Sequence, residues 1–208
     1  MKKRVIVLGV SAFALATLVV PAAAYAATTA NSQLSQSITA GVLSTDIRDA
    51  SNVVVASPSF ALSAVAASTS QQTSTGTFGT ASQRISVDNP GGANGGWTLA
   101  LNGTVPASTK WTSGGNNYLY NGTATTGQLT VNPAAGTITA VTGGATGVTK
   151  GASAAFSGGT PITLMTAANT AAPIWNGYIT GIGLSQTIPA AQAVGTYTLD
   201  LTQTVTAP

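Results

Sequence analysis

The sequence predicts an all-β protein, an antiparallel β-sandwich, and three observations point that way. Apolar residues recur at every second position, as in Trp97-Thr98-Leu99-Ala100-Leu101 and Tyr197-Thr198-Leu199-Asp200-Leu201. Val, Ile and Thr dominate those runs, and clusters of Gly, Asn and Pro interrupt them at short intervals. No stretch combines helical periodicity with a capping residue; the nearest, residues 166–172, is an Ala-rich turn that a short helix could occupy. Alternation puts large side chains on one face of a strand and Thr or Ser on the other, the pattern of a sheet with one wet side. Many short strands joined by regular turns pack as a sandwich, Ig-like or jelly-roll-like in form.

The expected strands follow in order. Residues 46–55 and 60–65 come first, with a Ser/Thr/Gln loop over 66–77 between them and the rest. Ile85-Ser86-Val87 and residues 97–101 are next, joined by the Gly-rich turn 89–96. Residues 129–131, 138–141, 162–164, 178–182 and 197–205 complete the set. Ser113-Gly114-Gly115-Asn116-Asn117, Asn121-Gly122 and Gly143-Gly144 supply turn chemistry between strands.

The first 26 residues read as a signal peptide. Lys2, Lys3 and Arg4 precede an apolar run over residues 5–20; Pro21 breaks it, and Ala24-Tyr25-Ala26 offers the small-x-small pattern for cleavage. The run is shorter than the roughly 20 residues that a membrane span needs. The expected product is a secreted chain without a membrane span, a 27–45 arm or edge strand followed by a single domain over 46–208. A core of that length buries roughly 70% of its unfolded surface. That matters because the chain has no cysteine to staple it.

Removing the leader changes the charge. The whole chain is +3, but the part after residue 26 sets Arg48, Arg84, Lys110 and Lys150 against Asp46, Asp49, Asp88 and Asp200. Four of each cancel, and no basic cluster exists to neutralise phosphates, so nucleic acid is not an expected partner. A neutral surface lacks the repulsion that keeps proteins apart in solution, which suits a wall, matrix or filament.

Catalytic chemistry has little to work with. The chain has no His, no Cys and no Glu, so a Ser nucleophile would have no His to activate it, and transition metals would lack their preferred ligands. A non-catalytic protein without cofactor or metal is expected. Asp46, Asp49 and Asp88 could contribute oxygens to a calcium ion; the plainer reading is that Asp49 and Asp88 shape turns while Arg48 pairs with a neighbouring carboxylate. Asn102-Gly-Thr and Asn121-Gly-Thr fit the N-glycosylation sequon and equally fit ordinary turns. Among the large aromatics, Trp97 and Tyr197 share strand faces with Leu99 and Leu201 and are expected in the core. Trp111 and Trp175 lie beside Gly, Asn or Pro and are the expected surface candidates for stacking on a sugar.

Ile85-Ser86-Val87-Asp88-Asn89, the Gly-rich turn and Trp97-Thr98-Leu99 together resemble the first motif of the WxL family of bacterial cell-surface domains. Tyr197-x-x-x-Leu201-Thr202 followed by Gln203-Thr204-Val205 resembles the second motif, although Gln203 and Val205 stand where the family has a further Trp-x-Leu. The resemblance covers residues 77–208. It implies a β-sandwich held non-covalently on peptidoglycan or another surface glycan, serving adhesion or surface display, with Trp97, Leu99, Tyr197 and Leu201 as motif residues. No sortase signal or lipobox Cys is present, so retention is expected to be non-covalent. Two other readings stand beside this one: a self-associating subunit of a fibre, pilus or matrix, and a carbohydrate-binding module that uses Trp111 and Trp175.

Overall fold

Within the unit Ile38–Pro208, three long strands break at one level. The computed structural model describes residues 32–208, so the expected signal peptide lies outside the described residues. Strand β1 (Ser44–Arg48) comes first, then β2 (Gln72–Phe78), which runs on into β3 (Arg84–Pro90) through a turn that begins at Gly79. Strand β4 (Trp97–Gly103) is followed by a small hairpin of β5 (Trp111–Ser113) and β6 (Asn116–Tyr118). Strand β7 (Gln128–Asn132) continues into β8 (Thr137–Thr142) through the 3-10 turn Pro133–Ala135. Strands β9 (Val148–Lys150), β10 (Ala154–Ala155) and β11 (Ile162–Ala167) come next. Then β12 (Ile174–Thr180) passes into β13 (Ile182–Ile188) through Gly181 alone, and β14 (Leu201–Thr206) ends the series.

Pairing is antiparallel throughout, in the sheet orders β1-β3-β12-β8, β10-β7-β13-β2 and β14-β4-β11-β9. The first two sheets are successive halves of the same strands. Phe78 pairs with Ile182 in one half and Ile85 with Ile179 in the other. At the break, the Gly181 N–H donates to the Gly79 carbonyl at 2.8 Å. Both glycines have positive φ, 77° and 81°, a conformation that costs glycine nothing and strains a side-chain-bearing residue. Side chains of these two half-sheets and of the third sheet share one core cluster.

The alternation read from the sequence is the alternation of burial. Along β4, Trp97, Leu99, Leu101 and Gly103 are buried, while Thr98, Ala100 and Asn102 are half-buried. Trp97 meets Trp175 of β12 across the sandwich at 5.2 Å between ring centroids, and Tyr120 meets Phe156 edge-on at 4.9 Å. One continuous cluster joins these to Ile85, Leu129, Leu164 and Ile182. Each such side chain contributes roughly 1.5–3 kcal/mol on burial. The fold is an all-β antiparallel sandwich, and residues Ile38–Pro208 form one compact unit of it.

Several local expectations need correction. The expected loop 66–77 contains β2, whose inward residues Ser74, Gly76 and Phe78 are too small and polar to show alternation. The single strand expected over 178–182 is two strands parted by Gly181. The strand expected over 46–55 stops at Arg48, because the Asp49 carboxylate accepts the N–H groups of Ser51 and Val53 at 2.8 and 2.9 Å and closes a turn. Residues 60–65 pair only through an isolated bridge between Leu62 and Gly76. The strand expected over 197–205 begins only at Leu201. Residues 166–172 end β11 and enter a turn, with no α-helix there. Asp88 sits within β3 rather than in a turn; it is Asn89, buried, that holds the Gly-rich connection. Its side-chain oxygen accepts the Ala93 N–H at 2.9 Å, and its amide donates to the Ala93 and Pro173 carbonyls.

Candidate binding cleft

At the end of the sandwich away from the Trp97–Trp175 pair, the two faces do not close fully. A cleft of about 690 Å³ remains between β2, β13 and β7 on one side and β4 and β14 on the other. Its floor is the apolar core itself: Phe78, Leu101, Leu129 and Leu184. Residues 58–68 form one rim, and the stretch from Pro189 to Leu201 forms the opposite one. That volume falls in the range of small-ligand sites.

An aromatic wall stands at one end. Trp111 and Tyr118 are directly opposed in the β5–β6 hairpin, with near-parallel rings at 6.0 Å. Tyr118 in turn meets Tyr197 at 5.1 Å. Polar groups fix Trp111 and Tyr197, and Tyr118 is packed between them. The Trp111 indole N–H donates to the Gln186 side-chain oxygen at 2.8 Å, and fully buried Gln186 donates its amide to the carbonyls of Leu119 and Thr187. The Tyr197 hydroxyl donates to the Ala193 carbonyl at 2.9 Å and accepts from the Gln192 amide at 2.7 Å. Burial, then the neighbouring Tyr197 phenol, pushes the Tyr118 phenol up to about 12. The Tyr120 phenol beneath is also raised, chiefly by burial.

Along β14 the wall becomes apolar. Leu201 and Gln203 face the cleft. The Gln203 amide donates to the Thr45 hydroxyl at 2.8 Å, while its side-chain oxygen is buried and accepts nothing. A buried acceptor left unpaired costs free energy that a ligand donor would recover. Among the described residues, no Lys or Arg lines the cleft, and Asp200 is the one carboxylate there. The surface suits an uncharged ligand.

The six residues singled out from the sequence separate into two groups. Trp111, Tyr197 and Leu201 converge on the cleft. Trp97 and Leu99 lie in the core, as their strand face predicts. Trp175, expected at the surface, is fully buried, with its indole N–H donating to the Gly144 carbonyl at 2.8 Å. Its burial follows from Gly177, where a Cβ would come within 2.6 Å of the indole; the missing side chain is the space the ring fills. Tyr197, expected in the core, is only half-buried at the rim.

Comparison with family models, with characterised proteins and with solved structures finds no match. The cleft is therefore read from its own chemistry. Tyr118 lines it and Gln186 holds Trp111 from behind, and neither was singled out from the sequence; Gln203, which also lines it, was noted there only as the residue in place of a second motif Trp. The Ser113–Asn117 turn carried a signal for Tyr118, since it places that residue across from Trp111. The two glutamines are marked only as polar residues at positions where the alternation calls for apolar ones.

The remaining polar candidates are engaged locally. Asp46 pairs with Arg48 at 2.9 Å, and among the described residues no three acidic side chains cluster as a metal site. The Asn102 amide donates to the Gly159 carbonyl at 2.8 Å, and the Asn121 amide donates to the Pro106 and Gly158 carbonyls. Either sequon would have to give up those bonds to carry a glycan. Among the described residues, no helix is long and apolar enough to cross a membrane.

Proposed function

We propose that the protein is a secreted, non-catalytic domain held non-covalently at the cell wall, serving adhesion or surface display, and that the aromatic end of the cleft is its contact with peptidoglycan or another surface glycan. The observation that carries this reading is the Trp111–Tyr118–Tyr197 wall, three rings held by mutual packing and by hydrogen bonds of Trp111 and Tyr197, beside a cleft that no cationic side chain among the described residues lines. Sugar rings present C–H faces that stack on such surfaces, and rings already held in place lose little entropy on binding. The signal-peptide pattern and the WxL-like order of motifs support the location. The absence of His, Cys and Glu from the sequence supports a binding role rather than a catalytic one. A carbohydrate-binding module would use the same wall, with Trp111 and not Trp175 as its platform.

Sedimentation with isolated cell walls tests the proposal. The protein is expected in the pellet across a range of salt, because an uncharged contact is not screened. Recovery in the supernatant at every salt concentration overturns it.

A further inference from the structure

The N-terminal arm and the cleft carry matching patterns. Residues 32–43 have no regular secondary structure and no charged side chain. From residue 34 on, their even-numbered positions read Leu34, Gln36, Ile38, Ala40 and Val42, the alternation of one strand face. Leu34, Ile38 and Val42 are 94%, 90% and 84% exposed, so this apolar face is uncovered. The Gly41 N–H donates to the Pro90 carbonyl at 2.9 Å, which anchors the arm there. Upstream of Gly41, residues 32–40 span roughly 30 Å when extended.

The cleft offers the complement. Among the described residues, strand β14 is the edge of its sheet and pairs only with β4, which leaves its outer row of backbone groups open to another strand. Its half-buried face reads Leu201, Gln203 and Val205, the same apolar–Gln–apolar order as Leu34, Gln36 and Ile38. The Gln203 side-chain oxygen is a buried acceptor without a donor, and a Gln amide is such a donor. Across the cleft, residues 58–68 meet β2 through one isolated bridge, Leu62–Gly76, through the Ser63 N–H on the Thr75 carbonyl and the Ser74 hydroxyl on the Ser63 carbonyl, and through the edge-on contact of Phe60 with Phe78. This side of the sandwich is covered without being closed by a regular strand.

We propose that the cleft receives the arm of a second copy of this chain, laid along β14 with Gln36 opposite Gln203, so that secreted molecules join head to tail. Donated strands gain affinity from main-chain hydrogen bonds and specificity from alternate side chains. A single polar pair inside an apolar seam sets the register. Because arm and cleft are different surfaces, the contact is heterologous and runs on from copy to copy as a filament wherever the rotation between copies does not close a ring. The part of the chain after residue 26 has four basic and four acidic residues, so little net charge opposes assembly. The inference goes beyond wall attachment: the glycan contact uses the Trp111 and Tyr197 end, and the arm takes the Leu201 and Gln203 end.

Sedimentation velocity over a concentration series, with electron microscopy of the most concentrated sample, tests the assembly. The secreted protein is expected to grow in mass with concentration and to form linear particles. Leu34→Ser with Ile38→Ser, both in the exposed arm, is expected to stay a single copy, and a synthetic peptide of residues 32–40 is expected to bind this variant and to shorten wild-type oligomers. Gln203→Leu, checked for folding by its Tm, is expected to bind that peptide about tenfold more weakly. A wild-type protein of constant mass at every concentration, or a double variant that assembles like wild type, overturns the inference. Wall sedimentation of the same double variant reports on wall attachment separately.

Discussion

Trp175 and Trp111 sit in similar sequence surroundings, each close to Gly and Asn, yet they mark opposite ends of the sandwich. At the Trp175 end the faces meet: the indole fills the space above Gly177, packs on Trp97 and donates to a backbone carbonyl. At the Trp111 end the faces part, and the indole is held from behind by Gln186 with one side turned to the cleft. The same chemical group serves stability in one place and presentation in the other. What separates them is whether a glycine lies beneath the ring.

That contrast can be broken from either end. Trp175→Ala leaves a large cavity in the closed end and is expected to cost about 3–5 kcal/mol in denaturant unfolding. Gly177→Ala pushes a methyl into the space the indole occupies and is expected to cost about 1–3 kcal/mol. At the open end, Gln186→Leu strands the Trp111 indole N–H, the Leu119 carbonyl and the Thr187 carbonyl. A loss of roughly 1–3 kcal/mol is expected, with a shift in tryptophan fluorescence as Trp111 loses its fixed orientation.

A pH titration sharpens the comparison further, since the raised phenols lie at the cleft end. The Tyr118 phenol keeps its proton to about pH 12 in the folded protein, whereas an unfolded tyrosine ionises near 10. Below pH 10 both states are protonated, and this group gives stability no pH dependence. Between about 10 and 12 the unfolded state alone loses its proton, so stability falls as pH rises. Denaturant midpoints at pH 9 and pH 11 are expected to differ in that direction, and Tyr118→Phe is expected to reduce the difference, with Tyr120 supplying the remainder.

The sandwich was legible wherever a strand pairs large apolar residues with Thr or Ser. Residues 85–87, 97–101, 129–131, 138–141 and 162–164 all lie in strands. Strand β2 was hidden because Ser74 and Gly76 face inward beneath residues 58–68, where larger side chains have no room. Gly181 was hidden because the run from Tyr178 to Ile182 is apolar on both sides of it, and only the pairing shows that the strand changes sheet there. In the cleft, Trp111 was legible as a large aromatic near a Gly-rich turn. The assignment of Tyr197 reversed because exposure depends on whether the opposite face closes over a residue; for Trp175 the local sign was Gly177, two residues on and on the same strand face, which leaves room for the ring.

The largest expected effect on binding lies at Trp111. Trp111→Ala removes a half-buried ring and leaves the buried Gln186 oxygen without its donor, so it is expected to lower stability by about 1–3 kcal/mol. Sedimentation with isolated cell walls, wild type beside Trp111→Ala and at matched Tm, is therefore the most direct test of the cleft as the contact surface. Wild type in the pellet with Trp111→Ala in the supernatant is the predicted result. Equal retention of both proteins on the wall would contradict it.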